Sequence, residues 1–271
     1  MWVQAWIAAA LVLTLAGCGE ASGTGVDPEP ETLQVVLIGD SLIDPDNGCT
    51  QGCLGFGEQF TDQVASQLGT GAELQTVAAM GVPDAVEVVS KPGMEADKIA
   101  AADVVVVEVG FNNALPDPET GIGCSTWFLD AEPECLEEGV TTYGDLYDQV
   151  FAGVKALRGD KPTVYVATTT VNGNIVPADA FPDGLLALDV QKTGELKAWA
   201  VAAYDRWNAM LTERATGAGF QVVDLYHVLN GADGTLSWYP EFTDDGAHPN
   251  RAGNDLIASK LAEVDLSTID K

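Results

Sequence analysis

The sequence predicts an open α/β fold: one doubly wound sheet of five parallel strands with helices on both faces, in a single domain. Three observations carry this. Short apolar runs rich in β-branched residues alternate with longer stretches of helical spacing. The runs are predominantly apolar, as strands covered on both faces require. No segment repeats at a period of roughly 20 to 50 residues, so a solenoid or propeller is excluded.

The strands come first in the argument. Residues 33–38 (LQVVLI) form a continuous apolar run ending at Gly39. Residues 74–79 read as a second strand. Residues 103–109 (DVVVVEV) form the strongest one, because β-branched side chains suit a pleated surface. Residues 163–167 (TVYVA) and 220–223 supply the fourth and fifth. Between them, Phe56, Phe60, Val64 and Leu68 mark one helical stripe at i, i+4 spacing. Residues 143–157 read as a helix with Thr141 or Thr142 as N-cap. Residues 195–215 form a long helix and residues 252–261 the last one. Right-handed crossovers then give a flavodoxin-like order. Residues 114–140 and 170–193 show no periodicity, and loops of that length tend to be functional or disordered.

Charge narrows the partners. The 271 residues hold 41 acidic and 12 basic side chains, a net charge of −29. Such a polyanion repels phosphates, which disfavours nucleic acid and basic-patch binding to anionic lipid. The one long apolar run is N-terminal and short, so a multi-span membrane protein is excluded.

That N-terminal run ends in Leu15-Ala16-Gly17-Cys18, which resembles the lipobox of bacterial lipoproteins, although residues 1 to 5 carry no Lys or Arg. The resemblance implies a signal peptide over 1–17, lipidation of Cys18 and an extracytoplasmic, membrane-anchored protein. A plain secretory peptide is the alternative. Residues 18–32, rich in Gly, Pro, Ser and acids, then act as a flexible tether to a domain over 33–271. Cys49, Cys53, Cys124 and Cys135 remain, an even number in an exported chain, which suggests disulfides. Of three connectivities, Cys49–Cys53 with Cys124–Cys135 closes short loops and is the expected one. Their spacing suits a metal site poorly.

In a doubly wound sheet the ligand site lies at the carboxyl ends of the strands. After the first strand comes Gly39-Asp40-Ser41-Leu42; after the third, Gly110-Phe111-Asn112-Asn113; before the last helix, Asp245-Gly246-Ala247-His248. A Ser hydroxyl needs an adjacent base, and His is the side chain suited to neutral pH. Of the two histidines, His248 has an acid three residues earlier in a polar loop, so Asp245 can fold back onto the imidazole. Asp244 competes for that role. Pro249 is expected at the first position of the last helix. His227, in DLYHVL, reads as a packed or surface histidine. Asp44, Asp46 and Gly48 fail as a calcium loop for want of a Glu at the twelfth position.

The three motifs, in order and at strand ends, resemble the GDSL, or SGNH, hydrolase family. The resemblance implies Ser41 as nucleophile, His248 as base, Asp245 as its orienting acid, and an oxyanion hole from the Ser41 amide, Asn112 and a backbone N–H after the second strand. There the chain departs from the family's pattern: a gapless reading puts Asp84 where a Gly is expected, and Gly81 is the nearest Gly. Asn113 stands where the family has Asp. The family needs no metal or cofactor. The implied substrates are esters of small molecules, carbohydrates or lipids. An acyltransferase using the same acyl-enzyme, or a catalytically weak binding protein on this scaffold, are the competing readings.

Overall fold

Five strands form one parallel sheet in the computed structural model, which describes residues 32–44, 52–113, 133–173, 175 and 194–269. They are β1 (Leu33–Gly39), β2 (Ala72–Ala78), β3 (Val104–Glu108), β4 (Val164–Thr168) and β5 (Gln221–Val223), in the order β2-β1-β3-β4-β5. Every neighbouring pair is parallel. The strand order reverses between β1 and β3, which places the switch point beside Ser41 and Asn112.

Alternation along the strands divides the core into two layers. Val35 and Leu37 of β1, with Val104 and Val106 of β3, face α1 (Phe56–Leu68) and the C-terminal helix Arg251–Leu261. Val36, Ile38, Val105 and Val107 face the opposite layer, where Tyr147, Phe151, Trp207 and Leu211 pack. Both faces of β1 and β3 are therefore covered, which is why these strands are apolar at every position but Gln34 and Glu108. Burying each such aliphatic side chain contributes about 1.5–3 kcal/mol.

Several elements depart from the expectation. Residues 82–101 carry two helices absent from the sequence reading, α2 (Val82–Ser90) and α3 (Met94–Ala101). Each is short, and Pro83 near the start of α2 looks like a turn signal but sits where its missing N–H costs nothing. The helix expected from residue 143 is α4 (Pro133–Arg158), starting ten residues earlier. Its apolar stripe runs back through Val140 and Leu136. Thr141 lies inside it and bonds back to the Glu137 carbonyl at 2.8 Å instead of capping. After α5 (Gly194–Gly217), a short α6 (Leu225–Asn230) follows β5 directly. The last helix, α7 (Arg251–Leu261), is capped by Asn250, whose side chain accepts the Gly253 amide. Pro249 precedes the cap and forms an extended bridge with Thr243, so it is not the first helical residue.

Residues 1–31, with Cys18, lie outside the described residues, as do Asp46, Gly48, Cys49 and Cys124 and the side chain of Cys135. Cys53 is disulfide-bonded.

Candidate active site

Ser41 opens a 3-10 turn (Ser41–Ile43) directly after β1. Gly39, the last residue of β1, pairs with Glu108 of β3. A Cβ on Gly39 would lie 2.4 Å from the Glu108 carbonyl oxygen and 2.4 Å from the Ile43 side chain, so only glycine fits. Asp40 follows, and its Oδ1 accepts the Leu42 amide at 3.2 Å. Burial pushes the Asp40 carboxyl up, and hydrogen bonds from the amides of Leu42, Asn112, Gly110 and Phe111 only partly offset this. Asp40 thus fastens the Ser41 turn to the turn after β3.

Glu108 lies buried next to it. Burial raises its pKa well above the carboxylate range, and the nearby Asp40 charge adds to this. Each of these two buried carboxyls disfavours ionisation of the other. Neither Asp40 Oδ2 nor Glu108 Oε2 has a hydrogen-bond partner among the described residues.

His248 reaches Ser41 from the loop before α7. Its Nε2 lies 3.0 Å from Ser41 Oγ, and its Nδ1 lies 2.7 Å from Asp245 Oδ2. The other Asp245 oxygen accepts the amides of Ala247 at 2.9 Å and His248 at 2.7 Å, and the Thr243 hydroxyl at 3.1 Å. Partial burial works to raise the Asp245 pKa, but these bonds outweigh it and hold the carboxyl below its usual range. The loop is fixed from outside as well: Trp238 Nε1 donates to the Gly246 carbonyl at 3.1 Å. Asn254 on α7 accepts the Phe56 amide at 2.8 Å, tying α7 to the start of α1. Asp244 turns away and accepts from Asn250 at 3.1 Å, so the acid beside the imidazole is Asp245.

Asn112 sits in the turn after β3. Gly110 starts that turn at φ +135°, a conformation that favours glycine, and a Cβ there would meet the Tyr147 hydroxyl at 2.3 Å. Asn112 Nδ2 donates to the Met80 carbonyl at 3.0 Å. Gly81 precedes α2, and a Cβ on it would lie 2.3 Å from Asn113 Oδ1. That same oxygen accepts the Val82 amide at 2.7 Å. Asp84 lies in the first turn of α2, and its carboxylate bonds the Met80 amide at 3.1 Å. A cavity of about 570 Å³ opens beside Ser41 and Asn112.

His227 repeats the local geometry without the nucleophile. Its Nδ1 lies 2.7 Å from Asp224 Oδ2, again three residues earlier. The pair lines a separate cavity of about 530 Å³ with Asp205, Asn208 and Glu213, and neither Ser41 nor Asn112 borders it. Among the described residues, no group of three or more His, Cys, Asp or Glu side chains gathers to hold a metal ion. Ser41, His248 and Asp245 therefore come together as the motifs implied, with Asn112 in the adjacent turn. Glu108 and the clasp by Asn113 were missed. The lone charge inside a run of valines was the signal for Glu108.

A sequence profile of the GDSL-like lipase/acylhydrolase family matches residues 37–256. Among solved structures, the lipase Lip_vut3 from a goat rumen metagenome is similar at TM-score 0.63 and 18% identity, covering 85% of this chain and 96% of that one. A putative GDSL-like lipase from Parabacteroides merdae gives 0.53 at 16% identity, over 90% and 100% of the two chains. An extracellular lipase from Streptomyces rimosus gives 0.53 at 18%, over 85% and 98%. No curated protein matches the chain.

Proposed function

The chain belongs to the GDSL-like lipase/acylhydrolase family, and we propose that it hydrolyses carboxylic esters through Ser41, His248 and Asp245. The observation that carries this reading is the continuous relay from Asp245 through His248 to Ser41, at 2.7 and 3.0 Å. Ser41 Oγ attacks the ester carbonyl carbon while His248 Nε2 takes its proton. Asp245 holds Nδ1–H, fixes the tautomer and stabilises the imidazolium that forms. The proton then passes to the departing alcohol oxygen. Water, activated by His248, releases the acid from the acyl-enzyme.

The oxyanion forms within reach of Asn112 Nδ2 and the Ser41 amide, with the Gly81 amide as the third donor. The amide hydrogen now shared with the Met80 carbonyl passes to the stronger acceptor as charge develops. Asp84, whose carboxylate is taken up by the Met80 amide, shapes this loop rather than facing the anion.

The same reading places the enzyme outside the cytoplasm, held by a lipidated Cys18 on the tether of residues 18–32. The disulfide at Cys53 fits an oxidising compartment, and Cys49 is its proposed partner, with Cys124–Cys135 as the second pair.

The test is turnover of p-nitrophenyl acetate and butyrate by the chain lacking residues 1–18. Saturable hydrolysis lost in Ser41→Ala is the expected result. Binding of esters without turnover would replace the hydrolase by a binding protein.

A further inference from the structure

We infer that the cavity beside Ser41 holds the acyl half of the ester, and that it takes a short, uncharged aliphatic chain. The inference rests on the hydrolase reading and adds the side of the nucleophile, the length and the polarity.

The side follows from where the proton must go. At the tetrahedral carbon one substituent is Ser41 Oγ, and the oxyanion points toward Asn112. The departing oxygen has to receive its proton from His248, so the alcohol lies on the imidazole side. Only the acyl group is left, and it points away from His248. The cavity has that placement: Ser41 and Asn112 border it, whereas neither His248 nor Asp245 is among its described lining residues.

The polarity follows from the wall. Ile43, Ala78, Ala79 and Met80 present alkyl groups next to the nucleophile. Met80 is 78% exposed, an apolar side chain held in solvent at the cavity mouth. Asp44 also lines the cavity, and a carboxylate there opposes an anionic acyl group.

The length follows from β2. It is an edge strand, and its Ala78 and Thr76 both border the cavity. Residues two apart share a face, so the cavity follows β2 for about 6.6 Å from Ala78 to Thr76. An extended chain of roughly six carbons spans that distance, because carbon–carbon bonds of about 1.5 Å at tetrahedral angles advance about 1.3 Å each. At Thr76 the wall turns polar.

The test is a series of p-nitrophenyl esters from acetate to dodecanoate, with the hemisuccinate as an anionic comparator. In the wild type, kcat/KM should rise roughly threefold to fourfold per methylene up to butyrate or hexanoate. It should then fall for decanoate and dodecanoate, and the hemisuccinate should be turned over at least tenfold more slowly than butyrate. Ala78→Leu fills the near end and should raise the acetate-to-hexanoate ratio at least tenfold. Thr76→Leu alters the far end and should shift only the longer chains. Ala209→Leu, in the remote cavity, should leave the profile as it is. Hydrolysis in which Ala78→Leu lowers every chain length by one factor, or in which its effect follows the alcohol rather than the acyl group, overturns the assignment alone. No turnover of any ester, with no labelling of Ser41 by a fluorophosphonate, overturns the hydrolase reading and the acyl site with it.

Discussion

Asn113 Oδ1 accepts the Val82 amide at 2.7 Å, and this one bond clasps the turn after β3 to the start of α2. Asn112 lies on one side of the clasp and Gly81 on the other, so two proposed oxyanion donors share one fastening. Asn113→Ala should lower kcat about 10- to 100-fold with a small change in KM, because a donor displaced by about 1 Å loses catalysis before binding. Asn113→Asp keeps the acceptor and should restore most of the rate. Gly81→Ala should behave like Asn113→Ala, since its Cβ would sit 2.3 Å from the clasping oxygen. Steady-state kinetics with circular dichroism as a folding control decides this.

Ser41 and His248 should fail as a unit. Ser41→Ala and His248→Ala should each lower kcat by several orders of magnitude, and the double variant should be little worse than either. Asp245→Ala should cost less, because it orients rather than transfers a proton. His227→Ala should leave the rate close to wild type. A wild-type kcat in His248→Ala, with loss in His227→Ala, would overturn the assignment.

Much of this was legible in the chain, and the limits have physical causes. The strands of β1 and β3 declared themselves because burial on both faces leaves few polar positions, Gln34 and Glu108 among them. The relay was readable because Asp245 and His248 are three apart and share one loop. The helices α2 and α3 were not, since nine and eight residues give too few turns to separate a stripe from chance. The start of α4 was hidden by glutamates and glycine around Leu136 and Val140. The oxyanion loop was read only as Gly81 or Asp84, because the role proposed for Gly81 depends on Asn113, thirty-two residues further on, which no local pattern reveals.

Asn112→Ala should raise the barrier by about 2.7–4 kcal/mol, seen in kcat with KM nearly constant, because its amide acts mainly in the transition state. Losing KM instead would make Asn112 a substrate-binding group.

Stability should respond to pH at two ends. Glu108 is held well above its ordinary value of 4.5, so the folded state binds that proton more tightly than the unfolded chain. Its stabilisation is complete below the ordinary value and declines as pH rises toward the raised one, by at most about 1.4 kcal/mol per pH unit. Asp40 is raised as well and acts in the same direction. Asp245 is held low, so its contribution is present above the ordinary carboxylate range and is lost as pH falls through its depressed value. Urea unfolding across pH should show a shallower alkaline decline in Glu108→Gln and a shallower acid decline in Asp245→Asn. Identical slopes in wild type and Glu108→Gln would remove Glu108 as the source.

Cys18→Ser should release the protein from membranes or block its maturation, read by fractionation and by the mass of the N-terminus. A variant that stays membrane-bound and is cleaved normally would dismiss the lipid anchor.

Ser41 and His248 are 207 positions apart, and the loop carrying His248 is braced by α7, whose Asn254 holds the first turn of α1. On the proposed mechanism, hydrolysis therefore needs residues from both ends of the described domain. On that mechanism, a polypeptide still emerging from a ribosome carries Ser41 for most of its synthesis without His248, the base that would arm it. The proposed enzyme is silent until the loop before α7 has been made. Clipping the last helix should abolish turnover.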